Sequence, residues 1–412
     1  MSERTNIDYD IVVAGGGMIG LSLSLALSPL GLRVAMIEAV APGARQQPSF
    51  DDRSTALSRS TQRMFEAMGL WPEIVAASTP IRKVHVSDKG RFGFSHIDAE
   101  EQQVEALGYV VINRVLGEVL QSNLEGAAAV DVFRPASISA VQPEADKVRV
   151  SMQPENGEIR DLSCRLLVAA DGANSSVRDM LGITASRVHY QQHAVIGNLL
   201  PEKPIRNVAF ERFTDAGPLA MLPIADNRAA FIWTVSETDA GRIMNLDDAS
   251  FIAELQSQFG YRLGRFSKIG RRAAYPLVLS KALRLTAQRS VVVGNAAHGL
   301  HPVAAQGFNL GMRDVASLCD CIADSVADGT DIGGTQMLER YANWRSSDQK
   351  KLVRFTDGLV RLFGSQNPPV RVLRNIGMLG FDLVPGVRSE FARQTMGLAG
   401  TLPRLSRGVP LI

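Results

Sequence analysis

Residues 9–38 read YDIVVAGGGMIGLSLSLALSPLGLRVAMIE. An apolar run, Ile11 to Ala14, meets Gly15, Gly17 and Gly20, and a helix of small residues follows from Met18 to about Leu30. Gly31 ends that helix, and a second run, Arg33 to Ile37, delivers Glu38. This is G-x-G-x-x-G in the setting its chemistry requires: behind a strand, opening a helix, with an acid about 20 residues on. The first glycine turns the chain, the second lets backbone approach a diphosphate, and the third lets helix and strand pack closely. The helix start offers free N–H groups and the positive end of a dipole. Glu38 is placed to accept hydrogen bonds from an adenosine ribose. The stretch predicts a dinucleotide site on a parallel βαβ unit.

The same stretch raises a rival. Ile11 to Leu32 is 22 residues without a charge, long enough to cross a bilayer. Five glycines and a proline interrupt it, and it lacks the basic segment and cleavage site of a secretory signal. A buried βαβ unit is near-continuously apolar for its own reasons, so the membrane-spanning reading is set aside.

A chain of 412 residues has material for two or three domains. Its net charge of +2 gives no global nucleic-acid signature. Cys164, Cys319 and Cys321 form no disulfide framework and read as reduced, buried thiols of a cytoplasmic protein. His298 and His301 have the spacing of a ligand pair, but no carboxylate cluster stands near them in the sequence, so no metal is expected.

Outward from the fingerprint, Ala41 to Ser49 is a loop rich in Pro, Gly and Gln. Arg53 follows, with two readings open: contact with a phosphate or another edge of the bound cofactor, or a salt bridge to Asp51 or Asp52. A capped helix is predicted near Ser60 to Met68. Arg114 opens another helix, where a cation is unfavourable by dipole logic; an anion waiting there or plain solvent exposure explains it. A buried strand, Leu166 to Ala170, ends in Asp171-Gly172, on the edge where an α/β sheet holds ligands, although Asp-Gly is also an ordinary turn. Residues 184–281 alternate in strand-like runs around one helix, Asp247 to Phe259, and predict an antiparallel sheet inserted in the nucleotide-binding framework. The framework returns with SVVVGNAAHGLHPVAAQGFNLGMRD, a strand, a polar loop and a helix from about Asn309. Residues 366–412 carry six Arg against one Asp and one Glu, among apolar residues. They read as helix packed on the body or as a face lying on a membrane surface.

The fingerprint with Glu38, Asp171-Gly172, and GNAAHGLHPVAAQGFNLGMRD together resemble the class A flavin-dependent aromatic hydroxylases over nearly the whole chain. G-N-A-A, L-H-P, Q-G-F-N-L-G and FDDRSTALS resemble the ubiquinone-biosynthesis branch. The resemblance implies an α/β fold like that of p-hydroxybenzoate hydroxylase: an FAD-binding Rossmann-type domain (1–79, 100–183, 282–365), an inserted antiparallel-sheet substrate domain (80–99, 184–281) and a helical C-terminus (366–412). It implies FAD as cofactor and NAD(P)H as a transient co-substrate.

Carried onto this sequence, it implies that Gly15, Gly17, Met18, Ile19 and Gly20 hold the diphosphate and Glu38 the ribose. Arg53 and Arg114 lie by the pyrophosphate and ribityl portion. Asp171 and Gly172 serve FAD and NAD(P)H. Asn295 stands where most members have Asp and binds the ribityl chain without a charge. Pro302, Gln306, Gly307, Phe308, Asn309 and Leu310 wrap the isoalloxazine, with Ala305 where relatives usually have glycine. The implied reaction is hydroxylation of a polyprenylated phenol, of the 2-polyprenyl-6-methoxyphenol type, by O2 through a flavin C4a-hydroperoxide. Peripheral contact with the inner face of a membrane and a quinone-biosynthesis assembly are the expected surroundings. His189, His193 and His301 are candidates for a base, with a structural role the commoner fate of such histidines. Two alternatives are hydroxylation of a small soluble aromatic acid and a flavoprotein scaffold subunit.

Overall fold

The computed structural model describes residues 7–41, 52–90, 94–299, 306–364 and 385–412. The opening stretch forms β1 (Tyr9–Ala14), α1 (Met18–Leu27) and β2 (Val34–Ile37). Pro29 confines Ser28–Leu30 to a 3-10 turn, and Gly31 closes it in the left-handed conformation. The membrane-spanning alternative is thereby excluded for this stretch. Among the described residues no helix is long and apolar enough to cross a membrane. Leu21, Leu23 and Leu27 of α1 are fully buried, each worth about 1.5–3 kcal/mol of apolar transfer.

Next come β3 (Ser54–Ser58), α2 (Arg59–Ala67) and α3 (Trp71–Ala76). Ser58 caps α2 by accepting from the Thr61 amide. The chain continues through β4 (Thr79–Ile81), β5 (Lys83–Asp88), β6 (Phe94–Asp98), β7 (Gly108–Ile112) and α4 (Asn113–Glu125). β8 (Val130–Phe133), β9 (Ala136–Pro143), β10 (Val148–Pro154), β11 (Arg160–Ala169) and α5 (Ser176–Met180) follow. The remaining strands are β12 (Ala185–Pro201), β13 (Val208–Thr214), β14 (Gly217–Ile224), β15 (Arg228–Ser236), β16 (Phe266–Ile269), β17 (Ala273–Ala282), β18 (Thr286–Ala287), β19 (Ser290–Val292) and β20 (His298–Gly299). The remaining helices are α6 (Glu237–Met244), α7 (Asp248–Phe259), α8 (Gln306–Ala327), α9 (Thr335–Gly364) and α10 (Pro385–Thr395).

Two large sheets organise these elements. In the first, β19, β11, β1, β2 and β8 run parallel in that order, with β18, β9 and β10 added antiparallel. Its central runs, residues 11–14, 34–37, 166–169 and 291–292, are apolar and buried because both faces are covered there. In the second, the order is β20-β17-β12-β15-β14-β13-β5-β6, so residues 83–98 and 185–282 share one sheet. One face of it buries Phe231 and Trp233 against Phe251 of α7. The opposite face meets a three-stranded sheet of β3, β7 and β4, where Ala209, Leu222 and Ala230 pack with Ile81 and Val110.

The C-terminal segment packs on the body in its described part. Ala392 and Met396 bury against Ile97 and Leu107, Arg388 pairs with Glu101, and Arg313 donates to the carbonyls of Gly397 and Ala399. The apolar run Val370 to Val384 lies outside the described residues.

Candidate functional site

The three sequence motifs meet at the carboxyl edge of the parallel strands, where Ala14 is in register with Ala169, and Ala169 with Val292. Gly15 has φ +102°, and a Cβ there would lie 2.6 Å from the Ala170 carbonyl oxygen. A Cβ on Gly20 would lie 1.9 Å from the Gly15 carbonyl oxygen. These positions exclude any side chain, so the turn and α1 are drawn against the sheet. Gly17 is the N-cap of α1, no side chain caps it, and the first turn holds no acid. Its amides therefore keep donors to offer an anion.

Glu38 is buried, and its carboxylate accepts from the Gly16 amide (2.5 Å) and the Val40 amide (2.7 Å). It braces the glycine turn as well as ending β2. Asp171 accepts from the Ser175 hydroxyl and from the Val177 amide (3.1 Å), and so fixes the start of α5. Arg178, fully buried, donates to the carbonyls of Ala173 and Ala296 (3.2 Å each) and ties that loop to the Gly294–Ala296 turn. Asn295 is exposed in the turn, between buried Gly294 and Ala296.

α8 starts at Gln306, three residues before the expected Asn309. A Cβ on Gly311 would lie 2.8 Å from Ile19 Cδ1 and 3.2 Å from Gly294 Cα, so α1, the late strand edge and α8 converge at Ile19. Among the described residues a Cβ on Gly307 would meet nothing within 4 Å. Leu310 is buried and Phe308 partly so. Asn309 turns inward: its Oδ1 accepts from the Ser58 amide and the Thr61 hydroxyl (2.8 Å each), and its Nδ2 donates to the Ala56 carbonyl (2.9 Å). Its side chain anchors β3 to the start of α8. Pro302 and His301 lie outside the described residues.

The two arginines resolve differently. The Arg53 guanidinium lies 4.9 Å over the Tyr275 ring, reaching across to the second sheet. Asp52, one of its expected partners, pairs with Arg114 at 3.5 Å, and Asp51, the other, lies outside the described residues. Arg114 also binds Glu118 at 3.0 Å, so protein carboxylates offset its unfavourable place at the start of α4. Of the histidines, His189 is exposed. His193 is in register with Val235, on the face that packs toward α6 and α7.

His298 meets a single carboxylate brought to it by the fold. Its Nε2 lies 2.6 Å from Asp314 Oδ2. The fully buried Asp314 also accepts from Arg345 Nε (2.8 Å) and from the Gly294 amide (3.0 Å). Burial by itself would raise the Asp314 carboxyl, but the charges of His298 and Arg345 outweigh it and hold it down at about 2. No metal-ligand cluster exists among the described residues, and this network fixes the turn that presents Asn295.

On the face of the second sheet that meets the β3 segment one rank of side chains stays partly exposed, and we read it as the wall of a cleft. Val86, Glu211, Ala220, Ile232, Ile196 and Ala273 form one rank across five strands and a neighbour. All six keep partial exposure, although the preceding rank, Ala209, Leu222 and Ala230, is sealed by the three-stranded sheet. In the rank beyond stands Tyr275, beneath Arg53. The cleft wall thus faces the segment that Asn309 ties to α8. Glu211 is its ionisable member, and sequence reading missed it because FERF resembles any edge-polar strand.

The donor set fits a dinucleotide cofactor: an uncapped helix start, a glycine turn closed to side chains, and open space at Gly307. A family model described as FAD binding domain matches residues 8–356. Ubiquinone hydroxylase UbiL of Rhodospirillum rubrum is 35% identical over 98% of this chain and 93% of its own length. The 3-demethoxyubiquinol 3-hydroxylase of Escherichia coli is 31% identical over 96% of this chain and all of its own. Among solved structures, p-nitrophenol 4-monooxygenase PnpA of Pseudomonas putida superposes with a TM-score of 0.80 at 17% identity, covering 95% of this chain and 98% of that one.

Proposed function

This chain belongs to the FAD binding domain family, and on that premise we propose that it is an FAD-dependent monooxygenase hydroxylating a polyprenylated phenol in ubiquinone biosynthesis. The observation that carries the reading is near-full-length similarity to two ubiquinone-pathway hydroxylases, joined to a cleft wall that is apolar but for one carboxyl group. The overall change is aromatic C–H plus O2, NAD(P)H and a proton, giving C–OH, water and NAD(P)+. FAD, when bound, supplies the electron transfer from NAD(P)H to O2.

The protein's own residues bind, orient and exclude water. The amides at the start of α1 hold the diphosphate, and Glu38 accepts from the ribose while bracing the glycine turn. Asn295, presented by the Asp314 network, takes the ribityl chain, with Arg53, Arg114, Asp171 and Gly172 around it. The Gln306–Leu310 turn offers its amides and the positive end of the α8 dipole to negative charge on the ring. The second sheet covers the reacting atoms from water. An apolar rank favours a prenyl-bearing phenol over a small aromatic acid, with the cation at its margin, Arg53, lying over the Tyr275 ring.

A polyprenyl chain partitions into lipid, and we extend the proposal to peripheral membrane contact and a shared assembly with neighbouring enzymes of the pathway. Vesicle flotation of the purified protein tests the membrane part. The main test is expression in quinone-deficient cells lacking one ring hydroxylase, with the accumulated prenylphenol identified by mass. Restored quinone and loss of that intermediate are expected. Unchanged accumulation, from protein shown to carry FAD, rejects the reading.

A further inference from the structure

We propose that Glu211 is the general base of this hydroxylase, accepting the substrate's phenolic O–H in the cleft. The inference rests on the phenol-hydroxylase reading and names a residue within it. Three observations carry it. Glu211 sits on β13, third from the β6 edge of the second sheet, between Val86 and Ala220, on the face that carries the partly exposed rank. On either side of this rank the sheet touches the β3 segment: Ala209 and Leu222 near Ala56 on one side, Tyr275 under Arg53 on the other. Ala56 in turn accepts from Asn309 at the start of α8. These contacts link the strand that carries Glu211, through Ala56, to the start of α8. Among the described residues no hydrogen bond or ion pair reaches it, so a carboxyl group projects into an apolar cleft with nothing to hold.

Its surroundings suit the work. Burial, acting alone, pushes the Glu211 carboxyl up to about 7, while the residue keeps an opening to the cleft. Arg212 and His85 belong to the opposite face, where Arg212 donates to the Gln258 carbonyl and His85 packs on Phe210. Asp88 lies one rank along on β5, and Arg53 is held at Tyr275, strands away. A base poised near the working pH combines a useful ionised fraction with a driving force for proton transfer.

The step balances within the phenol. As the ring carbon gains the electrophilic oxygen atom, the O–H pair moves into the ring and its proton passes to a Glu211 carboxylate oxygen. When the ring carbon then passes its hydrogen as a proton to the newly added oxygen and the C–H pair restores aromaticity, Glu211 gives its proton back to the phenolic oxygen.

The test titrates the FAD-loaded enzyme with 2-geranylphenol and with its methyl ether, read by flavin absorbance, at about pH 6 and about pH 8, either side of the Glu211 midpoint. The phenol is expected to bind about tenfold tighter than the ether at the higher pH, with the preference fading at the lower one. In Glu211→Gln the pH dependence is expected to vanish with FAD retained, and hydroxylation to fall about 100-fold or more, while Glu211→Asp restores part of the rate and the pH dependence. A wild-type preference that is flat with pH, or a Gln variant hydroxylating within about twofold of wild type, overturns the role of Glu211 and leaves the hydroxylase reading standing. Wild-type enzyme that binds neither probe overturns both.

Discussion

Replacing Asp314 by Asn tests the network that holds the late strand edge. The fully buried carboxylate binds Arg345 Nε at 2.8 Å, His298 Nε2 at 2.6 Å and the Gly294 amide at 3.0 Å. Asn keeps the shape but removes the carboxylate facing Arg345 Nε, leaving the buried guanidinium with Asp348, which its Nη1 meets at 2.8 Å. Removing one partner of such a pair costs about 3–5 kcal/mol, a large share of a typical total of about 5–15 kcal/mol. Urea unfolding, followed by circular dichroism and by release of FAD fluorescence, measures the loss. A double-mutant cycle with Arg345→Met is expected to show coupling, since Arg345 Nε and Asp314 are direct partners and the second change removes the charge that has lost one of its two carboxylates. The pH dependence has a definite sign. The Asp314 carboxyl is held down from 3.8 to about 2 in the folded protein, so its contribution is complete above the unfolded value and lost as pH falls through the folded one. At 1.36 kcal/mol per unit, about 2 kcal/mol disappears across that window in the parent and not in the Asn variant. A cost below about 1 kcal/mol, the worth of an exposed ion pair, together with additive singles, would refute the reasoning.

Gly20→Ala places a Cβ 1.9 Å from the Gly15 carbonyl oxygen, so the turn must open and the purified protein is expected to be colourless; bound FAD at parental stoichiometry contradicts this. Gly311→Ala crowds Ile19 Cδ1 at 2.8 Å and is expected to cost about 1–3 kcal/mol; adding Ile19→Val, which deletes that methyl, should recover most of it in the same urea assay. The three cysteines are free and buried, and burial pushes the Cys164 and Cys321 thiols up to about 12. A chromogenic disulfide reagent is therefore expected to find no reactive thiol in the native protein and three after unfolding, and rapid native labelling would contradict the packing.

Helix caps and turns were legible because they are local. Ser58 and Asp247 both accept from amides three residues on, in α2 and α7. Gly31 ends its turn in the conformation glycine adopts most easily. The start of α8 was read three residues late, because an Ala-Gln-Gly-Phe run carries no capping side chain to mark it. The surroundings of Arg53 and Arg114 were left open because their partners, Tyr275 and Asp52, are chosen by how the chain folds back.

What the sequence alone determined is the βαβ unit and its anion-binding edge: strand, glycine turn, helix and acid are set by spacings of a few residues, and each spacing has one steric solution. Only the tertiary structure decided which charges are satisfied and which are left over. Arg345 reaches Asp314 from 31 residues away, and Glu211 acquires an apolar wall from strands spread between Val86 and Ala273. Desolvation and pairing depend on every neighbour in three dimensions, and a linear pattern records only the neighbours along the chain.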